Sequence, residues 1–547
     1  MPSTPAALGQ KIAELCCPAY AADAKTGFHD TGSFFVFTGD SASIRETIAR
    51  ASAVCSSPPV VTTDLEYGAG RMVRDATQFP SLFAAGRAGP RLAEEMGRVA
   101  AIEGRATGFH WTLAPGVDLM LDILNPTTSY RSAGRTTDEV IAIGLAYLRG
   151  LQAGGMLTTA KTFPGDGACR YDQHLTTAVN PLGMREWRET YGHIYATMIA
   201  AGVDSIMPGH ISLPAYDTPD AANGQHPPAT LSPRLMKDLL RGELGFDGLI
   251  VSDAVNMGGF CGFINYYDAC ARFLEAGGDV LLFASPTQAF LGEMLKRIDA
   301  GQLTEATLDD RLARFRRFKA RAFAGDGAGV DKPRPYDASR GKGADEPRPY
   351  DEIRADDASC RGAPCARPPQ LRGASALATA DEIIAAGVQL LRDRKHWLPI
   401  VRPETKRILH VRLAVAHTGL HPVVDKFESA LNDVFASVEC IADPGPDRLR
   451  GIVENGDHDA VLVSVLNDYG YGVNHIHLAG PVARNMMGGW MHLGKPVVFI
   501  SHAHPYLHSE YMAVMDCVVR TCGTVEATIP RLIDVIARTG APIVADE

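Results

Sequence analysis

Short apolar runs that end at a polar residue, separated by helical stretches, dominate the chain from Ser33 to Phe283. The runs are Ser33–Thr38, Pro59–Thr63, Thr112–Val117, Leu157–Lys161, Asp204–Met207, Leu249–Ser252 and Asp279–Phe283. Between them lie helical patterns such as Arg91–Ala106, Asp138–Gln152, Met184–Ala200 and Pro233–Gly242. Strand–helix alternation on this scale predicts a parallel α/β architecture, either a barrel or an open sheet. Polar residues collect just beyond the strands: Asp64, Asp118, Lys161, His210 and Asp253. In a (β/α) barrel that is the end where active sites are built. Seven strands are legible where a closed (β/α)8 barrel needs eight, so one strand is degenerate or the barrel is irregular.

The pattern stops at a segment of different composition. From about Ala324 to Gly373, Gly, Asp, Arg, Pro and Ala dominate, and Pro333-Arg334-Pro335-Tyr336-Asp337 recurs as Pro347-Arg348-Pro349-Tyr350-Asp351. With no apolar periodicity, such a stretch buries too little surface to offset the entropy of ordering it. It reads as a flexible linker. Beyond it, a helical stretch Thr379–Leu391 and strand-like runs at Arg407–Val411, Ala460–Val465 and Pro496–Ser501 predict a smaller α/β unit. The expected division is a barrel domain at 1–325, a linker at 326–373 and an α/β sandwich domain at 374–547. No G-x-G-x-x-G follows a strand in the second unit, so no nucleotide is assigned to it.

Composition narrows the classes. The 547 residues carry 53 Lys plus Arg against 63 Asp plus Glu, a net charge of −10, without the basic footprint of a nucleic-acid binder. No apolar run approaches the ~20 residues of a membrane span. Met1 to Gln10 lacks the basic and apolar regions of a signal peptide, which makes the cytoplasm the expected compartment. The eleven cysteines are scattered and resemble buried thiols more than a disulfide framework. His475, His477, His502, His504 and His508 form a His-rich region. They read as loop histidines, because no carboxylate or Cys completes an obvious metal set.

The most informative segment is Lys161-Thr162-Phe163-Pro164-Gly165-Asp166-Gly167, followed by Asp172-Gln173-His174. A strand ends in a Lys, and a Gly/Pro-rich loop then offers a carboxylate and an imidazole two residues apart. Such a carboxylate fixes the ring's tautomer and supports its cation, which makes a competent general acid/base. Taken alone, the pair is an ordinary solvated loop. Phe246 to Asp253 changes the weighting, because an apolar strand delivers Asp253 to its C-terminal end, where a carboxylate is placed to attack an electrophilic carbon. The bland alternative is that Asp253 caps the next helix.

These residues carry a resemblance to glycoside hydrolase family 3, particularly its β-N-acetylglucosaminidase branch. Asp64-Leu65-Glu66 through Gly70-Arg71-Met72-Val73-Arg74 resembles D-x-E-G-G-x-x-x-R, here two residues longer. Ala114-Pro115-Gly116-Val117-Asp118 resembles A-P-V-x-D, and Arg131-Ser132-Ala133-Gly134 resembles R-S-F-G. Lys161 to Gly167 resembles K-H-F-P-G-H-G, Asp172-Gln173-His174 resembles D-S-H, and Met207-Pro208-Gly209-His210 resembles M-x-x-H. Phe246 to Met257 resembles the nucleophile strand F-D-G-x-x-x-S-D-x-x-x-M. All seven segments occur in family order. Weaker matches in the second unit are Val388 to Asp393 with Leu398-Pro399-Ile400, and Lys495 to Val498 with His504-Pro505-Tyr506.

The resemblance implies a (β/α)8-type TIM barrel followed by an α/β sandwich, a retaining mechanism and no cofactor. It implies Asp253 as nucleophile, His174 with Asp172 as acid/base, and Asp64, Arg74, Arg131, Lys161 and His210 as sugar-binding residues. The expected activity is a β-N-acetylhexosaminidase acting on terminal β-linked N-acetylglucosamine, with a carbohydrate as partner and neither nucleic acid nor membrane. An imidazole shuttle also avoids like-charge repulsion with Asp253 and departs from the usual carboxylate pair. Thr162 and Asp166 stand where the branch has His, which puts sugar positioning in question. A β-glucosidase and a phosphorylase are alternatives within the family. A non-catalytic sugar-binding protein, and a metal-dependent barrel using Asp64, Asp118 and Asp253 as oxygen ligands, are alternatives outside that chemistry.

Overall fold

The computed structural model describes residues 4–324, 371–414, 422–467, 485, 489–505 and 515–544. Eight parallel strands form a barrel. They are β1 (Cys16–Cys17 continued by Ala19–Tyr20), β2 (Ser33–Val36), β3 (Val60–Thr63), β4 (Trp111–Thr112), β5 (Thr159–Phe163), β6 (Ser205–Pro208), β7 (Leu249–Ile250) and β8 (Leu281–Leu282). β1 closes the circle: Cys16 pairs with Leu281 of β8, and Ala19 pairs with Phe35 of β2. Isolated bridges complete the remaining seams: Trp111 to Leu157 and Gly116 to Lys161 between β4 and β5, and Val251 to Val280 between β7 and β8.

The strand that the sequence conceals is therefore β1. Pro18 has no N–H to give a ladder and divides the strand into two residue pairs, so no apolar run announces it. The expected strand at Thr112–Val117 is also shorter. Its regular part ends at Thr112, and beyond it the segment stays bonded to β5 without regular strand geometry: the Ala114 carbonyl accepts the Thr159 N–H at 2.8 Å, the Pro115 carbonyl accepts the Lys161 N–H at 3.2 Å, and the Val117 N–H donates to the Lys161 carbonyl at 2.8 Å. Short strands suffice because the barrel interior is filled by their side chains. Trp111 is fully buried, and its indole N–H donates to Thr159 Oγ1 at 2.7 Å, so its one polar atom is satisfied inside the core.

The second unit is a six-stranded sheet. In chain order its strands are β9 (Gln389–Asp393), β10 (Arg407–Ala414), β11 (Ser437–Ala442), β12 (Ala460–Asn467), β13 (Val497–Ala503) and β14 (Cys517–Arg520). Their spatial order is β9-β14-β13-β12-β10-β11, with only β9 antiparallel to its neighbour. Alternation along the strands feeds two cores. Ile408, Leu462, Val498 and Ile500 pack on one face with Phe427 and Leu431, and Leu409, Val461, Val463 and Phe499 pack on the other with Leu449 and Trp490. Both faces are covered, as a parallel sheet requires.

Helix Ala374–Gly387 opens the second unit in sequence, but its apolar face joins the barrel's core through Ala376, Ala380 and Ile383. Between the units, Ser81 Oγ donates to the Cys522 carbonyl at 2.5 Å and the Arg520 guanidinium lies 5.1 Å from the Phe83 ring centre. The stretch expected to be a linker falls almost wholly outside the described residues, as do His475, His477, His508 and Tyr506. His502 is not on a loop. It lies in β13 and is buried, and His504 is buried just beyond the strand. No helix among the described residues is long and apolar enough to cross a membrane.

Candidate functional site

Asp253 follows β7, and its N–H donates to the Pro208 carbonyl of the neighbouring strand at 3.2 Å. The carboxylate accepts the Ala254 N–H at 2.8 Å and is partly exposed. The next helix, Gly258–Cys261, begins after Met257, so Asp253 is not its cap. The strand therefore presents this carboxylate at the C-terminal mouth of the barrel.

The loop after β5 is built on Asp118. Its Oδ2 accepts the Thr162 N–H at 2.9 Å and the Thr162 hydroxyl at 2.8 Å, and its Oδ1 accepts the Asp166 N–H at 2.6 Å. Burial, reinforced by the Asp166 charge, pushes the Asp118 carboxyl up to about 7 against these three donors. Asp166 is itself buried, which raises its carboxyl. It accepts from Thr127 Oγ1 at 2.6 Å, Asn125 Nδ2 at 3.2 Å and Gln173 Nε2 at 3.2 Å. Thr162 and Asp166, the two departures from the family pattern, thus hold the loop to the barrel.

The same loop carries a carboxylate–imidazole pair. His174 Nδ1 lies 2.6 Å from Asp172 Oδ1, which also accepts the His174 N–H at 2.8 Å. Asp172 is fully buried, whereas the His174 side chain is 25% exposed, so the pair has one anchored end and one solvent-reaching end. Two main-chain bonds fasten this loop to the segment after Asp253. Gly258 N–H donates to the His174 carbonyl at 2.7 Å, and Gly259 N–H donates to the Gln173 carbonyl at 3.1 Å. A Cβ on Gly259 would lie 2.6 Å from that carbonyl oxygen and 2.7 Å from His210 Cβ, so only glycine permits the approach.

His210 is fully buried between these parts. Its N–H donates to Gln173 Oε1 at 2.7 Å, its Nδ1 is 3.0 Å from Thr230 Oγ1, and its Nε2 is 3.0 Å from the Ala254 carbonyl. Both ring nitrogens are engaged by protein atoms. In this structure His210 supports the turn at Asp253 from inside. Burial lowers its pKa, so the ring stays neutral, with the Asp253 charge opposing that shift.

Across the mouth lies a charge cluster. Lys161 Nζ is 2.8 Å from Asp64 Oδ1 and 2.7 Å from Glu66 Oε1. Arg131 grips Glu66 with Nε and Nη2, each at 2.7 Å, in the two-pronged geometry that suits a guanidinium and a carboxylate. Glu66 is buried, and despite that burial the two cations hold its carboxyl far below its ordinary range. The Lys161 pKa is raised by Asp64 and then Glu66 against its own burial. The Asp64 side chain is 32% exposed and Glu66 8%, so Asp64 faces outward while Glu66 orders the cluster. Arg74 is exposed, and among the described residues its guanidinium joins no ion pair, so the fold does not draw it into this group.

The motifs assign no role to Glu66 or Gln173; Asp118 is expected only as a possible metal ligand, and Asp166 as a residue that makes its own hydrogen bonds or holds the loop, as it does here. Glu66 sits within the Asp64-Leu65-Glu66 motif, which was a usable signal. For Gln173 there is no such signal, because His210 and Gly259, two of its partners, follow other strands. Asp64, Asp118 and Asp253 do not converge as a ligand set among the described residues.

Residues 8–318 match the N-terminal domain of glycosyl hydrolase family 3. The chain is 30% identical over 529 residues to a β-N-acetylglucosaminidase/β-glucosidase of Cellulomonas fimi, covering 91% of this chain and 86% of that protein. It is 31% identical over 279 residues to a β-hexosaminidase of Stenotrophomonas maltophilia, covering 50% of this chain and 80% of the relative. Two solved structures share the fold. A β-glucoside phosphorylase, BglX, superposes with a TM-score of 0.81 at 24% identity, covering 98% of this chain and 92% of that one. A family 3 β-N-acetylglucosaminidase of Paenibacillus sp. superposes with a TM-score of 0.76 at 22% identity, covering 98% and 97%. With the barrel, the strand-end carboxylate and a domain match over more than half its length, this chain belongs to glycosyl hydrolase family 3.

Proposed function

We propose that the chain is a retaining, exo-acting β-N-acetylhexosaminidase that removes terminal non-reducing β-linked N-acetylglucosamine. The observation that carries this reading is the 2.6 Å contact between His174 Nδ1 and Asp172 Oδ1, on a loop fastened beside Asp253. In the first step the Asp253 carboxylate attacks the anomeric carbon, and the bond to the departing oxygen breaks. His174, as imidazolium, gives that oxygen its proton through Nε2, while Asp172 balances the ring's charge. In the second step neutral His174 takes a proton from water, the water oxygen attacks the same carbon, and the Asp253 ester is released. Inversion at each step returns the original anomer. Asp64, Lys161, Arg131 and Arg74 are proposed as sugar-binding groups, with His210 in a supporting role.

The names of the Cellulomonas and Stenotrophomonas relatives support the sugar class. The catalytic unit is proposed to span 1–325 and the supporting unit 374–547, with helix Ala374–Gly387 bracing the barrel. The nine cysteines described are all free, which supports a cytoplasmic setting. Cell fractionation checks that assignment.

A phosphorylase is a second reading within the same chemistry, because a neutral or cationic imidazole tolerates a phosphate acceptor better than a carboxylate does. Incubation with an aryl β-N-acetylglucosaminide, with and without phosphate, tests both readings. Free N-acetylglucosamine in both cases supports the hydrolase. Sugar 1-phosphate formed only with phosphate replaces it by the phosphorylase. Faster turnover of the matching glucoside would overturn the sugar assignment.

A further inference from the structure

Three potential metal ligands meet at one edge of the second sheet, on elements that contribute nothing to the barrel site. His410 of β10 stands directly beside Cys440 of β11 in the parallel register. Helix Pro422–Asn432, which connects these strands, supplies Glu428. Cys440 Sγ is 2.8 Å from Glu428 Oε2, and His410 Nδ1 is 3.8 Å from that sulfur and 3.9 Å from that oxygen. A tetrahedral zinc ion, with bonds of about 2.3 Å to sulfur and about 2.0 Å to nitrogen and oxygen, needs ligand separations of about 3.3–3.6 Å. The three observed separations bracket that range, and turning the Glu428 side chain suffices to even them.

The surroundings support a cation as well. His410 is fully buried, and its Nε2 lies 2.9 Å from Ser464 Oγ, which lies 3.1 Å from His502 Nε2. That contact orients the ring and aims Nδ1 at Cys440 and Glu428, the outer-shell arrangement expected of a ligating histidine. Arg412 also faces the cluster. Its Nη1 is 3.2 Å from Glu428 Oε2, and its Nη2 is 2.5 Å from Asp425 Oδ1. With Arg412 balanced by Asp425, Glu428 and an ionised Cys440 supply the two negative charges that match a dication. Cys440 gives up its thiol proton on binding, as a thiolate ligand must.

We propose that His410, Glu428 and Cys440 bind zinc or a similar borderline-soft divalent cation, with water as the fourth ligand. Binding breaks the Cys440 S–H bond and forms a sulfur–metal bond. The proton passes to solvent, and nothing is oxidised or reduced.

The test uses the full chain, stripped with a chelator and titrated with cobalt(II). A thiolate-to-cobalt charge-transfer band should saturate at one equivalent, disappear on adding zinc and be absent from Cys440→Ser. In parallel, one equivalent of zinc should slow alkylation of Cys440, followed by mass spectrometry of its peptide, at least about tenfold. Ser464→Ala should weaken zinc binding by about 10- to 100-fold. The absence of a band, a band that persists in Cys440→Ser, or alkylation of Cys440 unaffected by zinc would overturn the proposal. The alkylation measurement on the unmodified chain keeps it testable if a variant fails to fold.

Discussion

The side-chain carbonyl of Gln173 accepts the main-chain N–H of His210 at 2.7 Å, while its amide donates to Asp166 Oδ2 at 3.2 Å. One residue, flanked by Asp172 and His174, thereby joins the loop of the proposed acid/base to the histidine that supports the Asp253 turn. Gln173→Met keeps the volume and removes both bonds. It should lower kcat by about 10- to 100-fold with KM nearly unchanged, because misplacing a proton donor by about 1 Å has that effect. Unaltered kcat would show that the two main-chain bonds from Gly258 and Gly259 hold the loop without help.

Replacing Asp253, the proposed nucleophile, should give a sharper loss. Asp253→Asn should reduce turnover of an aryl β-N-acetylglucosaminide by on the order of 10⁴-fold or more. A 2-fluoro sugar should label Asp253 in the unmodified enzyme, and peptide mass spectrometry reads the adduct. Full activity in the variant would reject the glycosidase mechanism and leave a sugar-binding role.

His174→Ala should lower kcat/KM by about 10²- to 10⁴-fold on substrates with poor leaving groups. Aryl glycosides with good leaving groups need less protonation, so their first step should survive and the glycosyl-enzyme should accumulate. Rapid-quench mass spectrometry detects that species. An equal loss on both substrate types would point away from His174 as the proton donor.

Glu66 links stability to pH. Glu66→Gln removes the anion shared by Lys161 and Arg131, and breaking a buried pair of this kind costs about 3–5 kcal/mol. The carboxyl is held well below its ordinary value of 4.5, so the folded state binds its proton less tightly than the unfolded state does. Its contribution is therefore complete above about pH 4.5 and is lost as pH falls towards the folded value. Urea unfolding should show a large gap between the two proteins at pH 7 that narrows below pH 4.5. A gap independent of pH would assign the effect to packing.

The sequence by itself determined the alternating architecture, the two units and the pair Asp172 and His174, because these depend on local period and spacing. It also brought Asp253 to a strand end, since one apolar run dictates where the run stops. It could not reveal β1, whose pairing partners are β2 and the distant β8 and whose own pattern is interrupted by Pro18. Nor could it separate Asp64, which faces outward, from Glu66, which is buried beneath two cations; the two residues have the same charge, and only packing distinguishes them. His210 shows the same limit, since a motif identifies the residue while the tertiary fold decides that both its nitrogens are occupied. Local sequence fixes what is bonded along the chain, whereas the contacts that tune charge and hold the loop join residues far apart in it, and only the closed barrel brings those together.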